Sequence, residues 1–140
     1  MANLDLIKKL YKENNLTKEH IHNGQYTIIL RTGIDKIISK QNIDVVYEIE
    51  KLESDWVVIK AIASFMKGGT FIKRESYGES DFSNLPIKKK RNGTGEVARY
   101  PVAMAEKRAM SRSVLKLTGF YELDVMSEDE IVVEEKTSLL

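Results

Sequence analysis

Apolar residues recur along this chain in two periods, and the switch between them divides it. In the opening LDLIKKLYKENN, Leu4, Ile7, Leu10 and Tyr11 fall at helical intervals, which predicts a short amphipathic helix ending near Asn14 and Asn15. In GQYTIILRTG, β-branched residues stand between turn formers and suit a short strand. The stretch TGIDKIISKQN opens on Thr32 and has Asp35 three residues later, resembling a capping box, and then sets Ile34, Ile37 and Ile38 on one face. A second short helix is expected there.

Beyond it the period becomes two. Ile43, Val45, Tyr47 and Ile49 alternate with Asp44, Val46, Glu48 and Glu50, the pattern of a half-buried strand. WVVIKAIASFM is apolar at nearly every position and predicts a central strand, covered on both faces or crossed at a bend, with Trp56 in the core. After the turn KGGT, whose glycines accept positive φ, TFIKRESYGES supplies a third strand, and the short connections argue for an antiparallel meander. NLPIKKKRNGTGEVARYP cannot bury itself and reads as an exposed loop with four consecutive cations, Lys88, Lys89, Lys90 and Arg91. The helical period then returns in EVARYPVAMAEKRAMSRSVLKLTGFYEL, over residues 96 to 123. The class expected is α+β: a three-stranded antiparallel meander packed on a long C-terminal helix, with short N-terminal helices.

Charge changes this picture. The 140 residues carry a net charge of only +1, but residues 122–140 hold seven acids and one base, so a basic body over residues 1–121 is joined to an acidic tail. That asymmetry suggests a polyanion partner, with the tail as a competitor or a docking site; chance segregation of surface charge would give the same numbers. The absence of cysteine excludes disulfides, thiolate metal sites and a cysteine nucleophile. The apolar runs are short and the opening is charged, so neither a signal peptide nor a membrane span is expected, and a cytoplasmic location follows as the expectation.

The last helix holds the cations in an unusual order. Advancing about 100° per residue from Ala103, Met110, Val114 and Leu117 stay within roughly 40°, whereas Arg108, Arg112 and Lys116 fall between roughly 140° and 220°. Ala105 lies within that cationic stripe, and Lys107 lies at the edge of the apolar one. A row of cations at four-residue spacing suits contact with phosphates, tracking a backbone rather than reading bases. A solvated helix face has the same pattern.

The order of elements, together with TGIDKIISKQNIDVVYEIEKL, WVVIKAIASFM, TFIKRESYGES and AMAEKRAMSRSVLKLTGF, resembles the Rad-fifty-two superfamily of single-strand annealing proteins, including small phage-encoded recombination members, over roughly residues 24 to 121. The resemblance implies ATP-independent annealing of complementary strands in recombination or phage replication, a groove holding single-stranded DNA by its backbone, and sheets joined side by side into rings or filaments. Aligning Gly119 with the family's helix-ending glycine puts Arg112 and Lys116 on positions that are basic there. The DNA-contacting set expected here is Lys107, Arg108, Arg112 and Lys116, with Lys73, Arg74 and Lys88, Lys89, Lys90 and Arg91 as an outer wall or a second strand's site.

Other readings compete. Tyr77, Phe82 and Tyr100 flank basic residues and could stack on unpaired bases or anchor loops. His20 and His22 would need further ligands to hold a metal, and Asp44, Glu48, Glu50, Glu53 and Asp55 suit a polar sheet face as well as a nuclease metal. No nucleophile motif, Walker loop or dinucleotide fingerprint is present, so no enzyme activity, cofactor or metal is expected. A double-stranded RNA-binding domain has a similar order of elements, and an adaptor could recruit a recombination protein through the acidic tail.

Overall fold

The computed structural model describes residues 2–24, 26–53, 55–81, 87–89, 95–97 and 101–130, and the chain is α+β. Its helices are α1 (Ala2–Glu13), α2 (Arg31–Gln41) and α3 (Pro101–Thr118). Its strands are β1 (Ile21–Asn23), β2 (Thr27–Ile29), β3 (Asp44–Leu52), β4 (Trp56–Lys67), β5 (Thr70–Asp81), β6 (Ile87–Lys89), β7 (Gly95–Val97) and β8 (Met126–Ser127). The described strands divide between two three-stranded sheets and a hairpin, where a single meander was expected. In the larger sheet β4 pairs antiparallel with β3 and β5; in the smaller, β2 pairs antiparallel with β1 and parallel with β8. The basic segment, expected as a loop, places Ile87–Lys89 and Gly95–Val97 in antiparallel pairing.

β4 explains how the larger sheet is covered. Val57, Ile59, Ala61, Ala63 and Phe65 are buried on one face, while Val58, Lys60, Ile62 and Ser64 on the other are half-buried. One face is therefore a core face and the other is open, instead of both being covered. Trp56, expected in the core, is 40% exposed, and Lys51 Nζ lies 3.9 Å from its ring centroid. On β3 burial fades along the core face, from Ile43 (7% exposed) to Ile49 (63% exposed), because α3 lies over β4 and β5. The open face carries Glu48, Glu50 and Glu75 around Lys60, at 3.1, 3.9 and 3.8 Å. Glu48 and Glu50 of β3 thus serve a lysine, and among the described residues no group of three or more His, Asp or Glu is placed to hold a metal.

α3 meets β5 at unusually short range. A Cβ at Gly78 would stand 2.1 Å from the Ala105 carbonyl oxygen and 2.3 Å from the Ala109 nitrogen, so only glycine fits beneath this helix. Ser76 and Ser80, which flank it on the same face, are small and buried. Further along, Met110, Val114, Leu115 and Leu117 join Ile34, Ile37, Phe65 and Phe120 in the main core. At about 25 cal/mol per Å2 each fully buried large side chain contributes about 1.5–3 kcal/mol relative to exposure. Gly119, at φ 88°, ends α3, as the glycine after Thr118 suggests.

The acidic segment is not separate from the body over its first nine residues. Val125, Ser127 and Asp129 are buried, and β8 lies beside β2, so a boundary after Tyr121 falls within packed structure. This segment also starts α2. The helix begins at Arg31 rather than after Thr32, Leu30 makes no side-chain cap, and Glu128 Oε1 accepts the Arg31 backbone N–H at 2.5 Å. A carboxylate at a helix N-terminus satisfies an otherwise unpaired N–H and meets the positive end of the dipole. The capping box seen locally is at Thr17, where the His20 ring Nδ1 accepts the Thr17 backbone N–H at 2.9 Å, giving that histidine a structural role.

Candidate nucleic-acid interface

The direction of α3 across the sheet follows from its contacts. The Ser80 hydroxyl donates to the Pro101 carbonyl at 2.5 Å, Gly78 lies under Ala105 and Ala109, and Arg112 Nη1 donates to the Tyr77 carbonyl at 2.8 Å. α3 therefore runs antiparallel to β5. Lys116, one turn past Arg112, continues towards the stretch of β5 that carries Lys73 and Arg74.

The expected row of Arg108, Arg112 and Lys116 on a free face is not what this packing produces. Arg108 is only 6% exposed; its Nε donates to the Asp129 carbonyl at 3.0 Å and its Nη1 to the Glu79 carbonyl at 2.9 Å. Burial pulls its guanidinium below the ordinary arginine value, while Glu130 and Asp129 act in the opposite direction. It ties α3, β5 and the C-terminal segment together, and its place in a phosphate-facing row is corrected. The physical reason is the close approach at Gly78: once Ala105 and Ala109 rest on β5, the stripe they share with Arg108 turns towards the sheet.

Arg112 is intermediate. Its Nη2 donates to Glu130 Oε2 at 2.7 Å and its Nε to Oε1, a fork-to-fork pair, and this bonding pushes its guanidinium up. Its side chain keeps 32% exposure, against 16% for Glu130. Lys116 Nζ stands 5.3 Å from the centroid of the Tyr121 ring, which is 45% exposed. Lys107 is half-buried. Lys73 and Arg74 are exposed on β5, with Arg74 Nη1 donating to the Lys73 carbonyl at 2.7 Å.

Lys88 and Lys89 lie in β6, opposite Glu96 and Gly95 of β7. Lys90 and Arg91, with Phe82 and Tyr100, lie outside the described residues.

What comes together is a mixed edge. Arg74 lies on the face of β5 that α3 covers, with Arg112 and Lys116 on that helix and Tyr121 just beyond it, whereas Lys73 lies on the opposite, open face of the same edge strand with Phe71 (60% exposed) and Tyr77 (49%). Phe71 and Tyr121 were not singled out from the sequence, although Phe71 stands two residues before Lys73 and Tyr121 five after Lys116. A cleft of about 100 Å3, lined by Arg112, Leu115, Tyr121, Met126, Ser127 and Glu130, opens at the Arg112 fork. Among the described residues no helix is long and apolar enough to cross a membrane.

Comparison with known proteins returns no match among family models, curated proteins or solved structures.

Proposed function

We propose that this protein binds single-stranded DNA and promotes annealing of complementary strands without ATP, in the manner of the Rad-fifty-two superfamily it resembles. One observation carries the reading: cations and exposed rings flank the edge strand β5 on both faces, Arg74 on the side of Arg112, Lys116 and Tyr121, and Lys73 with Phe71 and Tyr77 on the open side, so that a strand following this edge meets both. Backbone cations beside stacking rings are what a sequence-tolerant single-strand groove requires. Phosphates neutralised along this edge would no longer repel a second strand, leaving bases free to test pairing. The hairpin of β6 and β7, with Lys88 and Lys89, would supply the outer wall.

Assembly fits the same reading. In the larger sheet β3 and β5 are edge strands, and exposed edges invite pairing with further copies into a ring or filament. The working site is the cytoplasm, the reaction needs no cofactor, and a recombination protein is a further partner.

The test is fluorescence anisotropy on a labelled single strand, with duplex DNA and duplex RNA as competitors, across a salt titration. Four phosphate contacts predict a log–log salt slope of roughly −3 on a single strand. Preference for the single strand with that slope, followed by faster pairing of complementary oligonucleotides, supports the proposal. Preference for duplex RNA would select the duplex-reading alternative, and no binding would overturn both.

A further inference from the structure

We infer that Glu130 is an internal stand-in for a phosphate: its carboxylate fills the Arg112 fork in the free protein, and a phosphodiester of the bound strand replaces it. The inference rests on the single-strand-binding reading above. A carboxylate and a phosphate each present two acceptor oxygens that match the planar guanidinium, so the same fork serves either. Arg112 is aimed independently of Glu130, because its Nη1 donates to the Tyr77 carbonyl at 2.8 Å. Exchange therefore leaves the fork in place.

The neighbouring residues show why Glu130, and not the whole segment, is the exchanging group. Asp129 is 6% exposed, its Oδ2 accepts the Ser111 hydroxyl at 2.9 Å, and its carbonyl accepts Arg108 Nε at 3.0 Å. Those bonds hold the backbone while the Glu130 side chain swings out. The cleft beside the fork, about 100 Å3 and lined in part by Tyr121, opens the approach from the side where Lys116 stands over the Tyr121 ring. Arg108 offers no such exchange, since the bonds its Nε and Nη1 make go to backbone carbonyls inside the structure. The consequence is selectivity: a lone anion must displace Glu130 unaided, whereas a strand already held by Arg74 and Lys116 delivers its phosphate at high local concentration.

The experiment compares wild type, Glu130→Gln, Glu122→Gln, Arg112→Gln and the Arg112→Gln/Glu130→Gln double variant by anisotropy on a labelled oligothymidylate across salt. Glu122 is exposed, so its variant controls for the added charge alone. Glu130→Gln is expected to bind about tenfold more tightly than wild type at low salt. Glu122→Gln is expected to change affinity by less than about twofold, and the gain is expected to vanish in the double variant. Glu130→Gln binding no better than Glu122→Gln, or a gain that survives loss of Arg112, would overturn the exchange. If Lys73→Ala and Lys116→Ala weaken binding while Glu130→Gln matches Glu122→Gln, single-strand binding stands and the exchange falls. If none of the proteins binds, both fall.

Discussion

The two halves of β5 have opposite characters although they are one unbroken strand. From Ser76 to Ser80 its core face is Ser, Gly, Ser, α3 rests on it at contact distance, and the carbonyls of Tyr77 and Glu79 are taken by Arg112 and Arg108. From Thr70 to Glu75 its side chains are exposed apart from half-buried Ile72, and Phe71, Lys73 and Arg74 face solvent. Cations stand beside both halves, yet in the first Arg108 is enclosed and Arg112 is already bonded to the fold, whereas in the second Lys73 and Arg74 are exposed. A cation's role here is set by the size of its neighbours: small residues draw two backbones together and enclose whatever charge lies between them, and that charge must then be hydrogen-bonded.

The sharpest way to break this contrast is at Gly78. Gly78→Val puts atoms against the Ala105 and Ala109 backbone, which no rotamer relieves, and the expected loss is about 3 kcal/mol or more, read by urea unfolding. Lys73→Val on the same strand is expected to stay within about 0.5 kcal/mol, as at other exposed sites. Equal losses at the two positions would abolish the distinction.

Next in size is Arg108→Gln. It withdraws donors from the Asp129 and Glu79 carbonyls inside the structure, and a loss of about 3 kcal/mol is expected in thermal or urea unfolding. With the remaining folded protein as the reference, single-strand affinity should be unchanged, because Arg108 is buried. The triple variant Lys73→Ala/Arg74→Ala/Lys116→Ala reverses that pattern. Its stability is expected to fall by no more than about 1 kcal/mol, whereas the salt slope of single-strand binding should become shallower by about 2, the value for three lost phosphate contacts. A triple variant that binds with an unchanged slope would remove this edge from the interface.

How far the chain announces this arrangement differs by element. Periodicity located α1, α2 and the strands β3 to β5, because each carries a regular apolar pattern, although β3 buries little of its own. It could not locate the contact of β2 with β8, whose partners lie 98 positions apart and which are only three and two residues long. The start of α2 was misread for a related reason: Thr32 and Asp35 match a local cap, but Glu128 arrives from far along the chain. On α3 the angular positions of Arg108, Arg112 and Lys116 were legible, but their surroundings were not. A signal did exist, in Ala105 and Ala109 on the helix and Ser76, Gly78 and Ser80 on the strand. Small residues at matching periods on two elements mark a close crossing, and they set Arg108 inside it.

The smallest effect separates the covered side from the open side by pH. Tyr11 stacks on Phe120, with centroids 6.0 Å apart, and its hydroxyl is buried without a hydrogen-bond partner among the described residues. Burial raises its pKa, and on the open face a hydrogen bond with Glu48 is the main cause raising that of Lys60. Both folded values lie above the unfolded ones, so both contributions are complete below about pH 10 and are lost as pH rises through the folded values. Tyr11→Phe removes a hydroxyl that is desolvated without compensation, and a gain of about 1 kcal/mol is expected at pH 7. It also removes one titrating group, so unfolding midpoints between about pH 10 and 11 should fall less steeply than in wild type, with the Lys60 part of the decline retained. A variant that loses stability at pH 7 would mean that the hydroxyl is hydrogen-bonded after all, and the core around Phe120 would have to admit a polar partner.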